Sequence, residues 1–568
     1  MIFYRMMRRN AAKLTGDRSA MLDLAHGRLV VLSSFFAIIY MVLAVRAFDI
    51  SVVQAKFWNM EDAGAIVVAE APEGKRRGSI YDRNGNMLAT SLDMASLYAD
   101  PYLIADPEKT ARGLSEIFPS LNFGKTLRSL QSARRFVWIE RNISPRQQEA
   151  VMQLGEPGLA FRYEEKRVYP AKNEMAHLVG MTNVDGRGLA GVERSFDRML
   201  AKGQDVTLSL DMRLQHALHR EVGKAIDDFN AMGGAGVIMD AHTGEVLAGV
   251  SLPDFNPHEP GLSEAAAHFN RLTLGVYELG SVFKIFSTAA FLETHDVPMS
   301  TTFDAREPIK VGRFTISDYH AEERILTVPE VFMVSSNIGS AMMGQAVGGQ
   351  RLRQFYEDLG LLSAMNVEVA EVASPLVPDR WGEVATMTAS YGHGIATTPL
   401  NVAAAVATVV NGGYLIEPTF VHAGEGDKVR DNRNKISVIS EETSYKMREL
   451  MRLVVTDGTG KNADVPGYRL GGKTGTAEKS GAGGYQRKKL ISSFVGAFPI
   501  NDPRYVVMVA VDEPKGNKKS YGYATAGWVA APAVQRLVKT MANILGMAPD
   551  YDAPSYEHPL RQYVALEG

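Results

Sequence analysis

The sequence predicts an α+β fold, one antiparallel sheet covered by helices, preceded by a smaller α+β module and an N-terminal apolar helix. Three observations predict it. Apolar runs from Gly236 to Met239 and from Glu245 to Val250 flank the polar segment Asp240-Ala241-His242-Thr243-Gly244, which reads as two antiparallel strands and a turn. Two further strand-like runs, Ser493 to Phe498 and Tyr505 to Asp512, lie near the other end of the chain. Between these pairs the apolar patterning is helical, so strands from both ends must meet in one sheet with helices laid over it.

At 568 residues the chain exceeds one compact core and reads as three or four domains or as one large domain with appendages. Hydrophobic content of 46%, charged content of 22% and a formal net charge of −3 leave no basic footprint, so no nucleic-acid partner is expected. There is no cysteine, which removes disulfides, thiolate catalysis and cysteine metal sites together. Twelve histidines show no metal-ligand spacing, so no metal is implied, and His320 and His393 read as structural.

Seventeen uncharged residues, Leu29 to Val45, lie between Arg28 and Arg46, near the minimum for a membrane span. Ahead of them Arg5, Arg8, Arg9, Lys13, Arg18 and Arg28 outweigh Asp17 and Asp23 by four charges, which places residues 1–28 in the cytoplasm and the rest outside. A single-pass anchor over 29–48 in the cytoplasmic (inner) membrane is therefore expected. A signal peptide cleaved at Val45-Arg46-Ala47 is the rival. The apolar run is longer than a usual signal-peptide core, which favours the uncleaved anchor.

Residues 49–203 are richer in charge clusters and turns. Arg76-Arg77-Gly78-Ser79-Ile80-Tyr81-Asp82-Arg83-Asn84-Gly85 holds a short strand and an Asn-Gly turn, a hairpin signal. Ala176-His177-Leu178-Val179-Gly180 and Gly188-Leu189-Ala190-Gly191-Val192-Glu193 read as turns and caps of a small α+β module. A domain over 204–548 follows. It opens with an amphipathic helix from about Met212 to Phe229 and closes with one from about Val529 to Leu545. The tail, 549–568, is expected to be ordered only where it docks.

The chemistry centres on Gly280-Ser281-Val282-Phe283-Lys284-Ile285-Phe286, which runs on through Ala289 to Leu292. Apolar residues on all faces mark a buried helix, where a lysine is hard to tolerate. Burial pushes such an amine toward its neutral form, which suits a base. Ser281 precedes Lys284 by three residues, and that spacing stacks the two side chains on one helical face, a nucleophile beside its base. Most Ser-x-x-Lys pairs are a solvated serine and a snorkelling lysine; the only such pair in this chain sits in the segment least friendly to lysine.

Thr327-Val328-Pro329-Glu330 reads as a helix start with a capping box. The helix meets Ser335-Ser336-Asn337, polar residues that interrupt an apolar pattern. They read either as cleft-lining groups in need of partners or as a polar turn between helices. Lys473-Thr474-Gly475-Thr476 follows, read as an exposed strand. Gly475 would admit a substrate backbone, while Lys473, Thr474 and Thr476 would bind a carboxylate.

Ser-x-x-Lys, Ser-x-Asn and Lys-Thr-Gly in this order resemble the motif set of serine β-lactamases and penicillin-binding proteins. Separations of 54 residues from Ser281 to Ser335 and 138 from Ser335 to Lys473 resemble the penicillin-binding transpeptidases. The segment 49–203 resembles the non-catalytic pedestal, or dimerisation-like domain, of class B members. Ser317-Asp318-Tyr319-His320, Gly484-Tyr485 and Asp512-Glu513-Pro514-Lys515-Gly516 are similar to their septal, cell-division branch. Two departures stand out: Leu279 where the family commonly has proline, and Val282 where it commonly has threonine.

The resemblance implies a D,D-transpeptidase that cross-links peptidoglycan stem peptides and is acylated by β-lactams. Ser281 would attack the D-Ala-D-Ala donor, Lys284 would be the base, Ser335 the proton relay and Asn337 the holder of the donor amide. Lys473, with Thr474 and Thr476, would bind the terminal carboxylate. The N–H groups of Ser281 and Thr476 would form the oxyanion hole, an amine acceptor would complete the cross-link, and no cofactor is implied. A membrane glycan polymerase and division proteins are the partners that the family implies. An elongation-type class B enzyme shares the catalytic motifs, and a β-lactam sensor, a β-lactamase and a division scaffold are further alternatives. A sensor usually carries several spans, a β-lactamase needs a positioned water that spacing does not display, and a scaffold leaves the motifs unexplained.

Overall fold

Two five-stranded sheets organise the chain beyond residue 75, and the residues that build them explain where the cleft lies. The structure, a computed structural model, describes residues 18–48, 76–312, 314–423, 436–481, 484–551 and 558–565. The expected tail up to residue 17 and the stretch 49–75 lie outside the described residues.

Helix α1, Arg18–Phe48, belongs to a unit of its own, Met1–Gly74. Its apolar side chains, Leu29, Phe35, Ile38 and Leu43 among them, are exposed. The expected membrane anchor over 29–48 is not met: among the described residues no helix is long and apolar enough to cross a membrane. Arg28 and Arg46 bound the uncharged stretch at seventeen residues, short of the ~20 that a ~30 Å hydrocarbon core requires.

In the second unit, strands β1 (Ile80–Tyr81) and β2 (Met87–Ala99) form the expected hairpin, closed by the Asp82 N–H on the Asn86 carbonyl at 2.8 Å. Strands β3 (Val137–Ile143) and β4 (Leu159–Val168) pair antiparallel with β2, and β5 (Val206–Thr207) pairs parallel with β1. Helices α2 (Pro107–Ile117), α3 (Phe123–Leu130) and α4 (Pro145–Gln153) are each capped by a polar side chain, Asp106, Asn122 and Ser144. Leu97, Leu114, Phe118, Leu130 and Val151 form their shared core. Where this module meets the next, Glu193 is fully buried between two guanidinium groups. It accepts from Arg77 Nη2 and Arg167 Nε, each at 2.6 Å, while Arg77 Nη1 reaches Asp197 at 2.8 Å. Each charge has a partner, which makes their burial tolerable.

The larger sheet follows helix α5 (Met212–Asp228) and starts with the hairpin β6 (Gly233–Asp240) and β7 (Val246–Leu252), as the two apolar runs predict. Strands β9 (Gly471–Gly481), β10 (Gly484–Phe498) and β11 (Tyr505–Asp512) complete it in the order β9-β10-β11-β6-β7, all antiparallel once β8 (Phe314–Ile316) is set aside in its own two-stranded ribbon. Both faces of the sheet are covered. Val507, Val509 and Val511 pack toward Leu218 and Val222 of α5 and the closing helix, while Val506, Met508 and Ala510 join the opposite core. Double coverage explains why these strands read as continuous apolar runs rather than alternating ones.

The helices over the second face carry the motifs. They are α6 (Lys284–Thr294), α7 (Val328–Val334), α8 (Asn337–Val347), α9 (Pro399–Val410) and α10 (Glu441–Thr456), with α11 (Ala530–Ile544) returning to the first face. The tail docks on the start of α7. Thr327 Oγ1 donates to the Tyr563 carbonyl, and the Ala565 N–H donates to Glu330 Oε1, both at 2.8 Å.

Candidate active site

Ser281 is held by a tight turn rather than by the helix expected from the sequence. Gly280–Phe283 forms a single 3₁₀ turn, and α6 begins at Lys284. Positive φ at Gly280, 55°, turns the chain sharply, and a Cβ there would meet the Thr476 carbonyl at 2.9 Å. Phe283 and Phe286 pack edge-on to each other and to Tyr356, which fixes the first turn of α6 beneath the serine. Leu279, in place of the family's usual proline, holds φ −97°, and both Leu279 and Val282 are fully buried, so the turn forms despite the two departures.

Lys284 has no exposed surface. Its Nζ donates to the Ser335 carbonyl and to Asn337 Oδ1 at 2.8 Å, and lies 3.1 Å from Ser335 Oγ. Burial holds its pKa well below the ordinary lysine value. The charge of Lys473 pushes it the same way, and Asp318 opposes. A neutral amine offers two N–H groups and one lone pair. Two of its three neighbours are obligate acceptors, so the lone pair faces the Ser335 hydroxyl, and the site is satisfied without a charge on Lys284. Among the described residues Ser281 Oγ has no hydrogen-bond partner. Lys284 is thus engaged with Ser335 rather than with Ser281.

Ser335 stands at the join of two helices. It ends α7 in the left-handed region, φ 66° and ψ 46°, and Ser336 caps α8 by accepting the Gly339 N–H at 3.0 Å. Ser335-Ser336-Asn337 therefore forms a polar turn between two helices. Lys473, also without exposed surface, donates to Ser335 Oγ at 2.8 Å from strand β9. Burial lowers its pKa to about 7. The Ser335 hydroxyl consequently bridges the two buried amines.

Strand β9 is an edge in hydrogen bonding but not in exposure, contrary to expectation. The Cβ that Gly475 lacks would lie 2.3 Å from the Leu279 carbonyl and 2.7 Å from Val282 Cγ2. Gly475 therefore lets the strand close against the nucleophile turn, rather than admitting substrate at its Cβ face. Thr474 Oγ1 pairs with Thr459 Oγ1 at 2.7 Å, and Thr476 Oγ1 accepts the Ala526 N–H at 3.0 Å.

Two neighbours escaped sequence reading. Asp318 accepts hydrogen bonds from Ser336 Oγ and from the N–H groups of Asn337 and Ile338; in the sequence its segment shows only a family resemblance. Thr459 sits in a turn with no motif around it. His393 packs against Tyr391 and Tyr485, and burial followed by the Lys284 charge lowers its pKa, in keeping with a structural role.

A half-buried serine on a tight turn, two buried amines and a bridging hydroxyl make an acyl-transfer centre of the serine–lysine kind. Comparison with known proteins agrees. Residues 234–537 match the penicillin binding protein transpeptidase domain, and 72–206 the penicillin-binding protein dimerisation domain. A probable peptidoglycan D,D-transpeptidase FtsI of Caulobacter vibrioides is 39% identical over 493 residues, 84% of this chain and 83% of that protein. The peptidoglycan D,D-transpeptidase FtsI of Escherichia coli is 30% identical over 509 residues, 84% of each. The crystal structure of penicillin binding protein 3 from Mycobacterium tuberculosis complexed with aztreonam shares the fold, with a TM-score of 0.66 at 24% identity over 84% of this chain and 97% of that one. The chain belongs to the penicillin-binding protein transpeptidase family, in the class B form that joins a dimerisation domain to a serine-type D,D-transpeptidase domain.

Proposed function

We propose that the chain cross-links peptidoglycan stem peptides during septum formation. The observation that carries the chemistry is the wholly buried Lys284, whose two obligate acceptors turn its lone pair toward the Ser335 hydroxyl. In this reading Ser281 attacks the D-Ala-D-Ala carbonyl, and its proton passes to Lys284. Ser335, bonded to both amines, carries a proton to the departing D-alanine amine. Asn337 holds the donor amide. Lys473 draws the terminal carboxylate toward the hydroxyls of Thr474 and Thr476, and the N–H groups of Ser281 and Thr476 receive the oxyanion. An acceptor amine then resolves the acyl-enzyme, and β-lactams trap it.

The septal assignment rests on the two FtsI relatives and on the resemblance of the flanking segments. Replacing Ser281 by Ala in the only copy should give filaments that elongate without dividing. Rounded cells that still constrict would move the enzyme to side-wall growth. The exposed apolar face of α1 and its basic flank support attachment to the inner membrane, with residues 49–568 on the periplasmic side. Protease added to spheroplasts should then digest nearly the whole chain, whereas a protected full-length chain would refute this topology. A glycan polymerase and other division proteins are the partners this placement implies.

A further inference from the structure

The amide of Asn337 is held from two sides, and the second side has no part in the mechanism above. Asn337 Oδ1 accepts a hydrogen bond from Lys284 Nζ, so Nδ2 must face the other way, and it donates to the Ser317 carbonyl at 2.9 Å. The orientation of the amide follows from chemistry: an amine beside Oδ1 needs an acceptor there, and a carbonyl beside Nδ2 needs a donor. The next residue, Asp318, then binds the segment that carries Asn337. One carboxylate oxygen accepts the N–H groups of Asn337 and Ile338, the latter at 3.0 Å, and the other accepts Ser336 Oγ at 2.7 Å.

These N–H groups begin α8, an eleven-residue helix, and point at a carboxylate supplied from elsewhere in the chain. The cap Ser336 serves Gly339, and Asp318 serves the two N–H groups ahead of it. Ser317 and Asp318 follow strand β8, whose Ile316 is buried against Ala341 of α8 and Met387. The clamp is thus anchored in a small core of its own.

We propose that Asp318 is a positioning residue for acyl transfer: it pins residues 336–338 so that the Asn337 amide stays fixed between Lys284 and the Ser317 carbonyl. The inference rests on the serine acyl-enzyme reading given above. One Nδ2 proton remains free of Ser317, and it is the one that an incoming donor amide would meet. The Asp318 carboxylate also acts on the charge of Lys284. The groups that face Lys284 are Lys473 from β9, His393 from the turn after Tyr391, Ser335 and Asn337 from the α7–α8 join, and the Asp318 carboxylate behind them.

The test is the rate at which a fluorescent penicillin acylates Ser281, measured against pH for the full chain and for Asp318→Ala and Asp318→Asn, with melting temperatures alongside. Loss of the clamp in Asp318→Ala should slow acylation about 100-fold, the scale of a misplaced reacting group. Asp318→Asn keeps an oxygen for the helix N–H groups, so it should recover most of that loss. It should also shift the rise of the rate to lower pH, because a carboxylate that favours charged Lys284 is gone. A purely structural role would lower the melting temperature and leave the pH profile of the folded protein unchanged. Wild-type rates in Asp318→Ala, or an unmoved profile in Asp318→Asn, overturn the inference while the enzyme reading stands. Absence of label on Ser281 in the wild type overturns both.

Discussion

Lys473 Nζ donates to Ser335 Oγ over 2.8 Å, joining the edge strand of the large sheet to the turn between α7 and α8 across 138 residues of sequence. The same hydroxyl lies 3.1 Å from Lys284. One serine is thereby shared by two buried amines, and the order of their protonation decides whether the centre is a base or an anion trap. Replacing Lys473 by Ala should slow acylation of Ser281 by 10²–10³-fold, comparable to removing one donor from an oxyanion hole. Stopped-flow labelling reads this directly, and a loss below about threefold would show that Lys473 is not needed.

Buried lysines make the fold sensitive to pH. Burial lowers the pKa of Lys473 to about 7, and Lys284 is also depressed, against ~10.4 for both in the unfolded chain. Below the folded values both states are protonated, and the cost of the buried charge is borne in full. As pH rises from there toward the unfolded value, the unfolded chain binds more protons and stability increases. Lys473→Met should accordingly melt higher than the wild type at pH 6, and the gap should narrow by pH 9. A gap that widens with pH contradicts the depressed pKa.

Gly475 is a contact rather than a hinge. An Ala there would place its Cβ 2.3 Å from the Leu279 carbonyl, an overpacking that costs ~1–3 kcal/mol. It should also displace the nucleophile turn. Gly475→Ala should therefore fold with a lowered melting temperature and acylate at least tenfold more slowly. Wild-type kinetics would mean that the strand shifts freely.

The base of the smaller module predicts a stability effect remote from the cleft. Glu193→Ala leaves Arg77 and Arg167 buried without their shared carboxylate. Removing one partner of a buried ion pair costs ~3–5 kcal/mol. Chemical denaturation should report that loss, and a change under 1 kcal/mol would mean that water compensates.

Local signals carried much of this. The Thr327–Glu330 capping box, the 240–244 turn and the Asn84-Gly85 turn are written in adjacent residues, and each forms where its pattern lies. Lys284, Ser335 and Asn337 were legible because a polar group in an apolar run demands a reason, Ser281 by its spacing from Lys284 and Lys473 by its Thr-Gly neighbours; hydrogen bonds join Lys284, Asn337 and Lys473 through or beside Ser335. Asp318 was not. Its three bonds reach residues 18 to 20 positions away, and nothing local distinguishes it from a solvated loop aspartate. Gly475 was legible as a place of close approach but not as to what approaches, since Leu279 and Val282 arrive from the opposite end of the domain. Membrane attachment was read from a charge-bounded run whose length falls at the margin for a span, where composition alone does not decide.

The central claim is that Ser281 is the nucleophile and Lys284 its base. Intact-mass analysis after brief exposure to penicillin measures it most directly. The account predicts one covalent adduct on the wild type, mapped to Ser281, none on Ser281→Ala, and an adduct that forms far more slowly on Lys284→Ala and persists for many minutes. An adduct on Ser281→Ala at the wild-type rate, or undiminished labelling of Lys284→Ala, would contradict it.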